Sequence, residues 1–409
     1  MTEQNYSEGQ DLFPFFSDNQ LEKYEKPDLY SFDKFILNSQ ISNVIWDCLV
    51  NDADKKALQS KGYNVQISPK TDKIKIIKEI DDGNTQLEIT FRHLNKISKL
   101  NNGGNINCLK VLFYVLSKFH KEDVKLNKKL EVFTTYKELE DLGIYKAGNA
   151  KELTERENGL KDKLSTLIIE TTVWKRANKN TKWGIVSCKG GIITSLLGNW
   201  KAETDGFKNI IHIDKDTIQI YEPLFRQKAP FPHILYKLPK LAFILGVFVL
   251  SYIRKNPDTF LKMDEENRQI EKKNASIEKN AESQEDAEAK KLSYKYSNFD
   301  FTTIQGALGL RQEDIKNPQT QIIKPIKEAI DEFNKAHIGI TLLYDDKKEG
   351  DGYRFLEDIK KDVKIKMRVE THEILQKCLE IKNRGTHAKR ISYLRKKNKQ
   401  GQKAVILNA

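Results

Sequence analysis

The sequence predicts an α+β fold: two similar, mainly helical units in tandem, each closing in a β-hairpin, behind an appended N-terminal region. Three observations predict it. The chain has 409 residues, 38% of them hydrophobic, which exceeds one small core and makes two or three domains the ordinary outcome. Near residue 106 the apolar pattern changes from alternation to helical spacing. A short motif with the same layout on either side of it occurs twice, which is the mark of an internal repeat.

Residues 1 to about 60 show no clear period. From Tyr63 to Leu94 apolar and polar residues alternate around Asp81-Asp82-Gly83-Asn84, the pattern of a β-hairpin whose buried side includes Ile74, Ile76, Leu87, Ile89 and Phe91. Nothing in this stretch points to chemistry, so residues 1–100 are expected to be an appended region.

The first unit, 101–205, opens with a helix from Ile106 that carries Cys108, Leu112, Val115, Leu116 and Phe119 on one face. Thr135 stands three residues before Glu138, a capping-box spacing, so a second short helix starts there and stops at Gly143. A third helix carries Leu153, Leu160, Leu164 and Leu167. Two strands follow, Val173-Trp174 and Trp183-Gly184-Ile185-Val186, around the polar turn Ala177-Asn178-Lys179-Asn180. Helix, helix, helix and hairpin in that order is the layout of a winged helix-turn-helix.

The second unit, 206–365, repeats it. Phe133-Thr134-Thr135 leads to Leu142-Gly143-Ile144, and Phe301-Thr302-Thr303 leads to Leu308-Gly309-Leu310, with Thr302 again three before Gln305. A helix with Ile322, Ile326, Ala329, Ile330 and Phe333 at core spacing comes next. Ile338 to Tyr344 and Tyr353 to Leu356 then flank a turn-rich Asp345–Gly352 as the second hairpin. The apolar run Leu241 to Ile253 is too short for a bilayer and reads as a buried core helix. Within this unit, 264–291 holds nine acidic and six basic residues without Gly, Pro or aromatics; it is either a solvated helical extension or a disordered insert, and its negative balance argues against DNA contact.

Seventy Lys and Arg against 58 Asp and Glu give a net charge of +12, which suits a polyanionic partner. Residues 382–409, most of the C-terminal tail 366–409, carry nine Lys or Arg and no acid. Such a tail is either an interaction arm or a solvated end. The four cysteines, Cys48, Cys108, Cys188 and Cys378, lack zinc-ligand spacing, so no metal and no other cofactor is expected. The polar N-terminus has no signal-like core, and a cytoplasmic protein with free thiols and no membrane partner is the expectation.

In this layout the third helix of each unit enters the major groove and the hairpin lies along the backbone. The first unit offers Asn149, Lys151, Thr154, Arg156 and Lys161 on that helix, although Lys151 and Arg156 could equally pair with Glu155 and Glu152. Its wing offers Lys175, Arg176, Lys179, Lys182 and Lys189 with no acidic neighbour, a run suited to phosphates. Trp174 and Trp183 brace this hairpin more readily than they stack on the bases of a duplex. The second unit offers Gln319, Thr320, Gln321, Lys324 and Lys327 for base and phosphate contacts, and a more acidic wing with Lys347, Lys348 and Arg354.

The stretch Gln321-Ile-Ile-Lys-Pro325-Ile-Lys-Glu-Ala-Ile-Asp-Glu-Phe-Asn334, followed by Ile340-Thr-Leu-Leu-Tyr344 and Gly352-Tyr-Arg-Phe355, resembles the C-terminal winged helix of iteron-binding plasmid replication initiators. Those proteins show a Pro-containing recognition helix ending in Glu-Ile-Asn and then two wing strands. The resemblance covers about residues 106–365. It departs from the family at the N-terminal hundred residues, the charged insert and the basic tail. It implies binding to direct repeats at an origin, melting of adjacent AT-rich DNA, recruitment of host helicase or initiator proteins, and repression of its own gene as a homodimer. A winged-helix transcriptional repressor, or a plasmid partition or copy-control protein, is the alternative.

An enzyme is not expected. The chain has no G-x-x-x-x-G-K-[ST] phosphate loop, and its seven histidines include no His-x-His pair. His387-Ala-Lys-Arg390 with Tyr393 resembles part of a recombinase site, but the spacing is too short and the second Arg is missing.

Overall fold

The computed structural model describes residues 32–36, 47, 55–68, 73–80, 85–92, 110, 114, 130–144, 168–175, 184–187, 194–195, 200–202, 208–213, 228–281, 283–310, 315–346, 356–370 and 373–380. Their architecture is α+β, mainly helical, with small antiparallel sheets.

The N-terminal part contributes β1 (Phe32–Ile36), α1 (Lys55–Ser60), β2 (Asn64–Ser68), β3 (Lys73–Ile80) and β4 (Thr85–Arg92). β3 and β4 pair from Lys73 opposite Arg92 to Ile80 opposite Thr85, the hairpin that the alternation predicts, and Ile74 and Ile76 are buried. The region is not an appendage, however. β4 pairs along its full length with β6 (Ile168–Lys175), from Thr85 opposite Lys175 to Arg92 opposite Ile168. β6 in turn pairs with β7 (Gly184–Ser187) and β8 (Thr194–Ser195), giving the sheet order β2-β3-β4-β6-β7. β1 pairs separately with β11 (Lys228–Pro232). A lone hairpin leaves one row of amides and carbonyls unmet on each edge; here the β4 edge is met by β6.

The predicted hairpin at Val173–Val186 therefore forms, with Trp174 opposite Ile185, but it is not the wing of the first unit. The strand entering the repeat motif, β5 (Leu130–Thr135), pairs with β10 (Lys208–Ile213), which pairs with β9 (Trp200–Ala202). The order is β5-β10-β9, first-third-second along the chain. In the second unit β12 (Ser297–Asp300), β13 (Ile340–Asp346) and β14 (Val363–Val369) form a sheet of order β12-β14-β13. That is again first-third-second.

The repeat holds at the level of backbone geometry. After β5, α2 (Tyr136–Asp141) ends at Gly143, whose φ is +72°, with Ile144 N–H donating to Leu139 O and Gly143 N–H to Glu140 O. After β12, α6 (Phe301–Ala307) ends at Gly309, φ +69°, with Leu310 N–H donating to Gln305 O and Gly309 N–H to Gly306 O. Both are left-handed glycine caps closed by a six-to-one bond. Leu139, Leu142, Ile144, Ile304 and Leu308 are buried behind them. The capping box expected at Thr302 and Gln305 is absent: Asp300 is the N-cap, Phe301 is the first helical residue, and Gln305 is fully buried. The chain enters this helix directly from a strand, so the apolar Phe301 sets the entry.

The second unit is built on α3 (Lys240–Lys255), the buried form of the Leu241–Ile253 run, which ends where Asn256-Pro257 starts a new helix. That helix, α4 (Pro257–Asn280), with α5 (Gln284–Lys290), occupies the charged insert, so of the two expectations the helical one applies. Its inner face is polar for a reason. Asn267 and Asn274 stand two turns apart, and each holds one residue of the returning chain through both main-chain groups. Asn267 accepts from Lys295 N–H at 2.7 Å and donates to Lys295 O at 3.0 Å. Asn274 does the same for Leu292 at 2.8 and 3.0 Å. Seven helical residues and three extended ones both advance about 10 Å, so the two spacings match.

Of the return strand expected at Tyr353–Leu356, Leu356 instead opens α8 (Leu356–Asp362), and 353–355 lie outside the described residues; β13 pairs over its whole length with β14. Val363, Ile365, Met367 and Val369 are buried while Lys364, Lys366 and Arg368 face outward, a two-residue alternation that runs past the expected boundary at 365. The last of the described helices, residues 373–380, buries Ile374, Leu375 and Cys378.

The two units meet at the start of α3. Lys110 and Tyr114, both helical and buried, are the described part of the helix predicted from Ile106. Tyr114 sets its ring edge-on to His233 and Tyr236, its hydroxyl donates to the Glu138 carboxylate, and Lys110 Nζ donates to Leu238 O at 2.7 Å. No described helix is long and apolar enough to cross a membrane.

Candidate nucleic-acid interface

The predicted reading helix of the second unit is α7 (Lys324–Asn334), continued at its N-terminal side by a wider turn, Gln319–Ile323. Its start is closed reciprocally: Thr320 N–H donates to Asn317 Oδ1 at 3.2 Å, and Asn317 N–H donates to Gln321 Oε1 at 3.0 Å. Thr320 Oγ1 also donates to Asn317 O at 3.4 Å. Asn317 is thus an N-cap and Pro318 the first residue of the turn, the position where a missing N–H does no harm.

Ile322, Ile323, Ile326, Ala329, Ile330 and Phe333 are buried, and Phe333 reaches Gly246 of α3. Gln319, Thr320, Gln321, Lys324 and Lys327 are exposed, all five on the free side as expected. The structure separates their roles. Thr320 and Gln321 hold the cap. Lys327 Nζ lies 4.5 Å from the ring centroid of Tyr344 on β13, a cation–π contact. Lys324 stands 3.9 Å from Glu328.

α7 and β13 are further joined at the far end of the helix. Asn334 accepts from Leu342 N–H at 3.0 Å and donates to Leu342 O at 2.8 Å, the same two-pronged hold that α4 uses. The exposed face is polarised along its length. Lys316, Lys324 and Lys327 lie toward the N-terminal end; Glu328, Asp331 and Glu332 lie beyond, with Lys335 bonded to Glu332 and its pKa raised by that bond. The phosphate backbone of a polyanion is favoured at the cationic entry of the helix.

The outer face of the β12-β14-β13 sheet is less suited to phosphate. Two of its cations are matched by neighbouring carboxylates, Lys366 by Asp345 at 2.9 Å and Arg368 by Glu370.

Of the other predicted contacts, Asn149, Lys151, Thr154, Arg156, Lys161, Arg176, Lys179, Lys182, Lys189, Lys347, Lys348 and Arg354 lie outside the described residues. Lys175 ends β6, opposite Thr85 and Gly184, so the basic hairpin it belongs to sits on the six-stranded sheet and not beside β5. Asn317, Glu328, Asn334 and Tyr344 were not anticipated. The Asn317-Pro318 pair is a helix-start signal readable from sequence; the partners of Asn334 and Tyr344 exist only once β13 is folded back on α7.

Comparison of the chain with protein-family models, with curated proteins and with solved structures gave no match. What the fold itself defines is an α+β chain with small antiparallel sheets, two of them sharing one strand order.

Proposed function

We propose that the chain is a sequence-specific double-stranded DNA-binding protein with two winged-helix units, acting as a plasmid replication initiator. The observation that carries this reading is the exposed helix α7, polar and cationic at its entry, seated on a sheet of order first-third-second behind a strand, a short helix and a glycine cap. Helix, strand, helix, helix, strand, strand with that sheet order is winged-helix topology, to which the second unit adds α4 and α5 after the first helix and α8 between the last two strands. In the first unit β5, α2, β9 and β10 supply the matching pieces, with β6, β7 and β8, which belong to the sheet begun by β2, β3 and β4, lying between α2 and β9. The net charge of +12 supports a nucleic-acid partner. Binding to origin repeats, opening of AT-rich DNA, loading of host helicase and repression of its own gene rest on the sequence resemblance, and the reading carries no catalytic step.

The test is selection from a random duplex pool, followed by footprinting of the winning site. Two major-groove segments protected about one helical turn apart are expected. A footprint that one head can cover would end the tandem reading. A plasmid bearing the gene and the selected repeats should replicate in a permissive host. Repression without replication would make the protein a repressor.

A further inference from the structure

Pro325 interrupts the hydrogen bonding of the reading helix. It has no N–H to offer the carbonyl of Gln321, and its ring crowds that carbonyl. The helix responds by widening: Lys324 N–H bonds to the carbonyl of Gln319, five residues back, across the turn Gln319–Ile323.

The widened turn changes which residues share a face. In an uninterrupted α-helix Gln319 stands four before Ile323 and seven before Ile326, both buried, and so falls on the core stripe. With the extra residue in the turn, the residue above Gln319 is Lys324 instead. Gln319 is swung outward and is exposed, as are Lys324 and Glu328. Lys324 and Glu328 are four apart on the α-helical part and 3.9 Å from each other. Gln319, Lys324 and Glu328 therefore form one outward row, a turn apart at each step. Thr320 and Gln321 are held in the cap, and Lys327 is turned to Tyr344.

We infer that Gln319, Lys324 and Glu328 are the base-reading row of this helix, brought into register by the turn that Pro325 imposes, and that they read three successive base pairs. The inference rests on the DNA-binding reading above. Two turns advance about 11 Å, against about 7 Å along the DNA axis for the two steps between the first and third of three base pairs, so the row meets them with the helix set at an angle in the groove. The chemistry assigns the bases: a Gln amide matches the donor and acceptor of adenine, a Lys ammonium the two acceptors of guanine, and a carboxylate the amino group of cytosine. A carboxylate in the row also explains how an acidic residue serves on a DNA-facing helix, since it selects at a base edge while the cations beside it hold the backbone.

The experiment takes the site enriched by the full chain from random duplex and competes every single base-pair change in it, for the wild type and for Q319A, K324A, E328A and P325A. Each of the first three is expected to lose discrimination of roughly tenfold or more at one base pair, the three pairs being adjacent and in helix order. P325A, which lets the turn close to α-helical spacing and carries Gln319 toward the core, is expected to lose the preference at the Gln319 pair. K335A, at the opposite end of the helix, keeps the wild-type profile. If the wild type enriches a site but the three side-chain variants discriminate at every position as it does, the row is wrong while DNA reading stands. If the wild type enriches no sequence, the DNA-binding reading itself falls.

Discussion

At the scale of single residues, the buried cation Lys110 has the clearest measurable consequence. Its side chain is 4% exposed, donates to Leu238 O and lies 5.3 Å from the Phe243 ring centroid. Burial lowers its pKa from 10.5 to about 8. Between those values the unfolded chain holds more protons than the native one, so stability rises with pH through that window and is lost as pH falls through about 8. At neutral pH the protein carries a charge that burial disfavours by about 3 kcal/mol. Relative to K110M, the wild type should gain about 2 to 3 kcal/mol between about pH 7 and about pH 10. Denaturant melts of both proteins at several pH values read this directly, and parallel pH curves would show that Lys110 is hydrated in the native state.

At the scale of elements, the helix caps separate two effects of glycine. Gly62 has φ +80° with nothing within 4 Å of where a Cβ would stand, whereas Gly143 has φ +72° and a Cβ there would come 2.6 Å from Lys237 Cγ. G62A should cost about 1 to 2 kcal/mol, the left-handed penalty alone. G143A should cost more, because it also pushes α2 off the start of α3, where the two units meet. Thermal melts of the two variants rank them; equal losses would mean that the Lys237 side chain simply moves aside. The same scale explains why the charged insert is helical. Its sequence offers little apolar surface, and the pair Asn267 and Asn274 supplies a polar seam in its place by meeting the main chain of Lys295 and Leu292.

At the scale of the whole molecule, the pairing of β4 with β6 and of β1 with β11 makes the described N-terminal strands part of the fold. Deleting residues 1–100 should bare an edge of β6 and an edge of β11 and give an aggregating protein with a lower melting temperature. A soluble fragment 101–409 that melts like the full chain would return the region to the status of an appendage.

Where structure follows from neighbours in sequence, the sequence by itself determined it. The hairpin β3–β4, the core helix at Leu241–Ile253 and the repeated short helix with its glycine cap all rest on periodicity or on one residue's φ. The alternation of Val363 to Val369 was equally legible, yet the shorter return at Tyr353 was expected in its place. The tertiary structure alone decided strand partners: that β5 joins β10, that the basic hairpin joins the N-terminal strands, and that Asn334 grips Leu342. A strand's periodicity says which face is buried but nothing about which edge it meets, because main-chain amides and carbonyls are alike in every residue but proline. The turn at Gln319–Ile323 lies between these cases. Pro325 announces the break, and only the packing of Ile322, Ile323 and Ile326 against the core shows which side chains the break turns outward.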